Sequence, residues 1–183
     1  MSVAFSCRAP RGAVWSRYLT TRARQVLRAL RVGRAELSLS LVGDAEMRAL
    51  NRRYRGKDRP TDVLAFPLHE PPVPASVASL GDVVISIDTA LLAATQRRRP
   101  LAACLDELVI HGVLHLLGYD HEISAAEERR MNRRAREVRA VLGEIAAPRA
   151  ERGGLRTERA ARNPRPSARK TKRVSKAGRR GRS

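Results

Sequence analysis

Three of the chain's four histidines lie in one eleven-residue stretch, HGVLHLLGYDH, at positions 111, 115 and 121. On a helix that turns ~100° per residue, His111 and His115 stand one turn apart and project on one side. Gly118 follows as a helix stop, since glycine takes the left-handed conformation common just past a helix end. The reversal lets His121 swing back and complete a three-nitrogen face for one metal ion. Three protein ligands leave the fourth position to water, the layout of a catalytic zinc site rather than a structural one closed by four ligands, and water held there ionises near pH ~7. Any one of these histidines taken singly would be read as a satisfied or surface residue. Their joint spacing, with a glycine between the second and third, is what selects the metal site. His69 stands alone beside a proline-rich loop and is read as incidental.

The same spacing is that of the metzincin peptidase signature HExxHxxGxxH, but its glutamate position holds Gly112. Glycine has no carboxylate to take a proton from an attacking water, so a zinc peptidase or amidohydrolase lacks its base. Glu107, one helical turn before His111, and Asp120 and Glu122 beside His121 are the acids within reach. Each is either a substitute base, a partner orienting an imidazole, or an ordinary surface or capping acid.

A second cluster, NRRYRGKDRPTDVLAFP from residue 51, gathers Arg52, Arg53, Arg55, Lys57 and Arg59 around a turn next to a strand. Guanidinium groups grip phosphate oxygens in pairs, and one close to a metal stabilises charge developing on a phosphodiester during hydrolysis. Read alone, the cluster is also compatible with a solvated basic turn.

The whole chain agrees with a polyanionic partner. Its 183 residues carry 37 Lys and Arg against 18 Asp and Glu, a net charge of +19, and such a surface attracts polyanions. From residue 149 to 183 there are 14 basic residues and two acids, Glu151 and Glu158, which leaves +12 there and +7 on residues 1–148. That terminal segment lacks apolar periodicity and is rich in Arg, Pro, Ser and Gly. It is expected to be a disordered basic tail, either gripping RNA phosphates non-specifically or merely solubilising. Aromatic residues make up 3% of the chain, which argues against a base-stacking platform of the single-strand-binding type. Cys7 and Cys104 form neither a CxxC nor a disulfide framework, so a reducing, cytoplasmic setting fits. No apolar run approaches the ~20 residues that span a bilayer, and no partnership with a membrane is expected. Residues 1–35 hold eight arginines and no acid, a composition that leaves organellar targeting open. The apolar stripe of Leu19, Val26, Leu27 and Leu30 favours a core-packed first helix instead.

The elements that must position these residues alternate in type. A short strand around Val3–Ser6 and the first helix precede AELSLSLV (35–42), whose period of two reads as a half-buried strand. Asp44 is expected to cap a helix in which Met47, Leu50 and Tyr54 fall at helical spacing. Strands follow at 61–66 and 81–87, separated by a proline-rich loop at 67–80. Asp88 is expected to cap a short helix, and Pro100 to open the histidine helix, Leu101–Leu117. Leu101, Cys104 and Leu108 precede the histidines on one stripe. Ser124 with Glu127 makes a capping box for a last helix to about Leu142, with Met131 and Val138 inward. This gives an α/β (α+β) fold in a single domain, residues 1–148. A small, mixed, mostly parallel sheet packs with helices, and the metal site sits on a C-terminal helix and the turn after it.

The segments YRGKDRPTDVLAFP, LGDVVISID and HGVLHLLGYDHE together resemble the YbeY family of endoribonucleases, or ribosomal RNA maturation factors. The resemblance covers about residues 37 to 134 and is carried most specifically by the histidine segment. It implies a single-strand-specific, zinc-dependent endoribonuclease acting in 3′ end processing of small-subunit (16S) ribosomal RNA and in ribosome maturation and quality control. Its partners would be ribosomal RNA and the small subunit or its assembly factors. It also implies His111, His115 and His121 as ligands of one zinc ion, with Arg55 and His111 catalytic. The glycine at 112 is then expected, while Ala65 departs from a serine common in the family. The two readings kept beside this one are the peptidase or amidohydrolase and a non-catalytic RNA-binding assembly protein.

Overall fold

The computed structural model describes residues 2–143, except 11, 33, 72 and 74–76, together with residue 148. The basic tail expected from residue 149 lies outside the described residues. The elements run β1 (Ser2–Cys7), a 3-10 turn at Ala13–Trp15, α1 (Ser16–Ala29), β2 (Glu36–Val42), α2 (Asp44–Arg55), β3 (Val63–Pro67), β4 (Ser79–Ser86), α3 (Ile87–Gln96), α4 (Leu101–Leu116) and α5 (Ala125–Val141). The four strands form one sheet in the order β1-β2-β4-β3. β1, β2 and β4 are mutually parallel, and β3 closes the edge antiparallel to β4, with Val63 opposite Ile85 and Pro67 opposite Gly81. The mixed, mostly parallel sheet anticipated from the sequence is therefore present, and the expected short first strand is its outer member.

The alternation of β2 explains its two faces. Leu37, Leu39 and Leu41 are buried with the α1 and α4 side chains, whereas Ser38 and Ser40 point the other way. β4 sits inside the sheet and is buried almost throughout from Leu80 to Ser86, as its unbroken apolar run requires. The main core packs α1, α3, α4 and α5 with one face, and a smaller cluster of Val42, Met47, Leu64 and Val84 forms where α2 covers the other. Leu105, Val109, Ile110, Val113 and Leu114 of α4 are all fully buried. At about 1.5–3 kcal/mol for each such side chain, α4 is anchored far more firmly than its exposed neighbours. That rigidity fixes the direction in which its histidines point. Arg22 of α1 adds a polar tie to α4. Its Nε donates to the Asp106 carboxylate at 2.7 Å, and Nη1 donates to the Gly143 carbonyl at 2.8 Å.

Two caps differ from expectation and have changed places. Gly43, not Asp44, is the N-cap of α2, and Ser86, not Asp88, caps α3 by accepting the Thr89 N–H. The Asp88 carboxylate instead accepts the Asp44 N–H at 3.0 Å, and the Asp44 carboxylate accepts the hydroxyls of Ser86 and Thr89. Each acid serves the neighbouring helix start, because parallel β2 and β4 bring both N-termini, and their exposed N–H groups, to the same end of the sheet. Of the three residues at helical spacing on α2, Met47 is buried and Tyr54 is 55% exposed. Ser124 caps α5 as anticipated, accepting the Glu127 N–H.

Candidate active site

α4 ends at Leu116, and the chain turns back through Gly118 at φ +85°, a left-handed value that glycine adopts without strain. The Gly118 N–H donates to the His115 carbonyl at 3.0 Å and the Tyr119 N–H to the Leu114 carbonyl at 3.1 Å, closing the last helical turn in the manner of a Schellman motif. The reversal brings His121 back to His111 and His115. The ring centroids stand 4.6, 5.0 and 5.1 Å apart, and one nitrogen from each ring falls within 4.8 Å of the others. The three histidines expected to converge do converge.

Their electrostatics suit a ligand set. Burial, followed by the neighbouring His115 and His121, pushes the His111 pKa down to about 4, against a modest opposing effect of Asp62. Burial and His121 lower His115 as well, while Asp120 and Glu122 oppose. Both rings are thus neutral near pH 7 and present free nitrogen lone pairs. The Nε2 atoms of His111 and His115 lie 3.1 Å apart, close to the ~3.3 Å separating two ligands of a tetrahedral ion with bonds of ~2.0–2.1 Å. The donor set fits a divalent metal.

Gly112 explains itself once α4 is seen on the sheet. A Cβ at this position would stand 2.6 and 3.0 Å from the two Val83 methyls and 3.4 Å from a Val63 methyl. The residue after the first histidine therefore faces β3 and β4, not the imidazoles. A glutamate there would press its Cβ against Val83 and leave the helix on its sheet side, so the base of the peptidase signature has no place beside the imidazoles. Glu107, one of the three acids considered as its substitute, is engaged elsewhere, pairing with Arg99 at 2.7 Å and Arg139 at 3.1 Å. The other two stand beside the histidines. Asp120 accepts the Glu122 N–H at 2.8 Å and so shapes the turn. Both Glu122 oxygens accept from Arg55 Nη2 at 2.7 Å, and this contact holds the Glu122 carboxyl below its usual range.

The histidines open into a cleft of about 830 Å³ whose other wall is the end of α2, the basic loop and β3. Arg55, Lys57 and Arg59 line it; Arg52 and Arg53 do not. Arg52 lies near Asp58, whose carboxyl Arg48 clamps at 2.7 and 2.8 Å, and the Arg53 guanidinium stacks over the Tyr54 ring at 5.3 Å. Two lining residues escaped the sequence reading. Asn51 is buried, and its amide donates to the Arg59 carbonyl at 2.7 Å, tying the basic loop to α2. Asp62 is the acid facing His111. Its place directly after the basic loop, in PTDV, was the available signal.

A mixed sheet whose covering helix and following turn bring three neutral imidazoles into one cleft with Arg55, Lys57 and Arg59 suits a hydrolase that could hold a metal ion and take an anionic substrate. Comparison with known proteins narrows the class. Residues 12–143 match the family model described as Endoribonuclease YbeY. Curated relatives of the same description include one from Anaeromyxobacter sp., 51% identical over 85% of this chain and 80% of its own length. Another, from Geobacter metallireducens, is 42% identical over 78% of this chain and 96% of its own. The solution structure of a Thermotoga maritima protein, 24% identical, shares the fold with a TM-score of 0.52 over 91% of this chain and 99% of that one. The chain belongs to the YbeY family of endoribonucleases, enzymes that hydrolyse RNA phosphodiester bonds. Among the described residues, no helix is long and apolar enough to cross a membrane.

Proposed function

We propose that this chain is a single-strand-specific, zinc-dependent endoribonuclease of the cytoplasm that trims the 3′ end of small-subunit (16S) ribosomal RNA during ribosome maturation and quality control. The observation that carries the reading is the meeting of three neutral imidazoles with Arg55, Lys57 and Arg59 across one cleft. His111, His115 and His121 would hold the zinc ion, which when bound supplies Lewis acidity and an activated water. Arg55 is the residue best suited to the scissile phosphate, because Glu122 aligns its guanidinium beside the histidine turn. A planar fork held in advance loses little freedom on binding phosphate and opposes the charge that builds during hydrolysis. Lys57, as a point charge, and Arg59, through its guanidinium fork, hold the flanking phosphates, while Arg52 and Arg53 lie outside the cleft wall, suited to more distant RNA backbone. The basic segment from residue 149 adds non-specific attraction to ribosomal RNA, and the small subunit or its assembly factors supply the remaining selectivity.

The purified full chain, analysed for bound metal and incubated with single-stranded RNA beside a His115→Ala variant, tests this. The expected result is one zinc per chain and cleavage by the parent protein, both lost in the variant. Equal cleavage by both proteins would assign the activity to a contaminant and overturn the proposal.

A further inference from the structure

Aromatic residues are few in this chain, and their distribution is more informative than their number. Of the six (Phe5, Trp15, Tyr18, Tyr54, Phe66 and Tyr119), three line the cleft: Tyr54, Phe66 and Tyr119. Trp15 and Tyr18 are buried, and Tyr54 is the only exposed one. Tyr54 sits in the last turn of α2, next in sequence to Arg55. Two neighbours hold its ring in place. Phe66 of β3 packs against it edge-on, with centroids 4.9 Å apart at 66°, and the Arg53 guanidinium lies 5.3 Å from its centroid. Despite both contacts the residue remains 55% exposed. Its hydroxyl makes no hydrogen bond among the described residues, so nothing polar accounts for its place there.

An exposed ring costs hydrophobic free energy, and here it is braced beside the cations expected to run along a phosphate backbone. Base–aromatic stacking next to a basic groove is how single strands are held without reading their sequence, and an arginine over the ring strengthens the site. A duplex keeps its bases stacked inside, so only an unpaired base can reach such a ring.

We propose that Tyr54, braced by Phe66 and Arg53, is a stacking site for one unpaired nucleobase of an RNA strand whose phosphates lie along Arg55, Lys57 and Arg59. The site rests on the nuclease reading above and deepens it, giving a physical source for single-strand preference. It sets a single stacking ring against the expectation, drawn from the 3% aromatic content, that a base-stacking platform is absent.

The test uses the full-length protein and two fluorescently labelled strands of equal length and charge, an oligoadenylate and its abasic counterpart, compared by anisotropy. Stacking on one aromatic ring contributes at least ~1 kcal/mol, about five-fold in affinity. The parent protein should therefore prefer the base-bearing strand by about five-fold or more. Tyr54→Ala should lose that preference while binding the abasic strand as before, and Tyr54→Phe should keep it, because the ring and not the hydroxyl makes the contact. Equal binding of both strands by the parent protein, or a preference retained in Tyr54→Ala, overturns the stacking site while leaving the nuclease reading intact. Absence of binding to either strand overturns both.

Discussion

Replacing Gly112 with alanine isolates the contact that keeps α4 against its sheet. The added Cβ would stand 2.6 Å from one Val83 methyl and 3.0 Å from the other, where comfortable carbon contacts begin near ~3.5 Å. Helix propensity alone favours the change by about 1 kcal/mol. Overpacking opposes it by about 1–3 kcal/mol. The upper half of that range applies, because Val83 is fully buried on an interior strand and its branched side chain has few rotamers into which it can retreat. The balance is a net loss of about 1–2 kcal/mol, or a fall in Tm of roughly 3–8 °C for a domain of this size. Urea and thermal unfolding of Gly112→Ala, Val83→Ala and the double variant measure it. Val83→Ala alone should cost about 2 kcal/mol through lost burial. In the double variant the two changes should compensate, with a coupling of at least about 1 kcal/mol. A more stable Gly112→Ala protein, or strictly additive effects, would refute the close approach and reopen position 112 to a catalytic side chain.

Two further outcomes concern the α1–α4 junction. Burial, the largest influence, raises Tyr18 to about 12. Between pH ~10 and 12 the unfolded chain therefore releases this proton while the folded protein keeps it, so the associated stability is complete below pH ~10 and falls as pH rises toward 12. Denaturant unfolding at pH 9 and 11 should show a loss on the order of 1–2 kcal/mol that Tyr18→Phe removes. Arg22→Met should cost roughly 3 kcal/mol, because it removes the cation paired with the Asp106 carboxylate beneath α1 and leaves it the Tyr18 hydroxyl; a midpoint unchanged in urea would show that the pair is dispensable.

The histidine site was legible because its geometry is local. Positions 111 and 115 share a helix face by spacing alone, and Gly118 marks where the chain can reverse. The role of Gly112 was not legible, since it depends on Val83 and Val63, which reach it only through the packing of α4 on the sheet. The same reason moved the two caps. Asp44 and Asp88 each precede a helix and read as local caps, yet the strand order makes each the other helix's acceptor. Tyr54 falls at helical spacing with Met47 and Leu50, yet at the last turn of α2 its ring meets Phe66 and the Arg53 guanidinium and stays exposed. Long-range partners, not local propensity, decided each of these differences.

Pro71, in the connection between β3 and β4, occupies the space into which a Cβ at Gly118 would project, with its Cγ 2.4 Å from that point. Pro71 is thus packed against the bend that carries His121, and both it and Gly118 line the cleft. A change at Pro71 is therefore expected to register in the placement of His121.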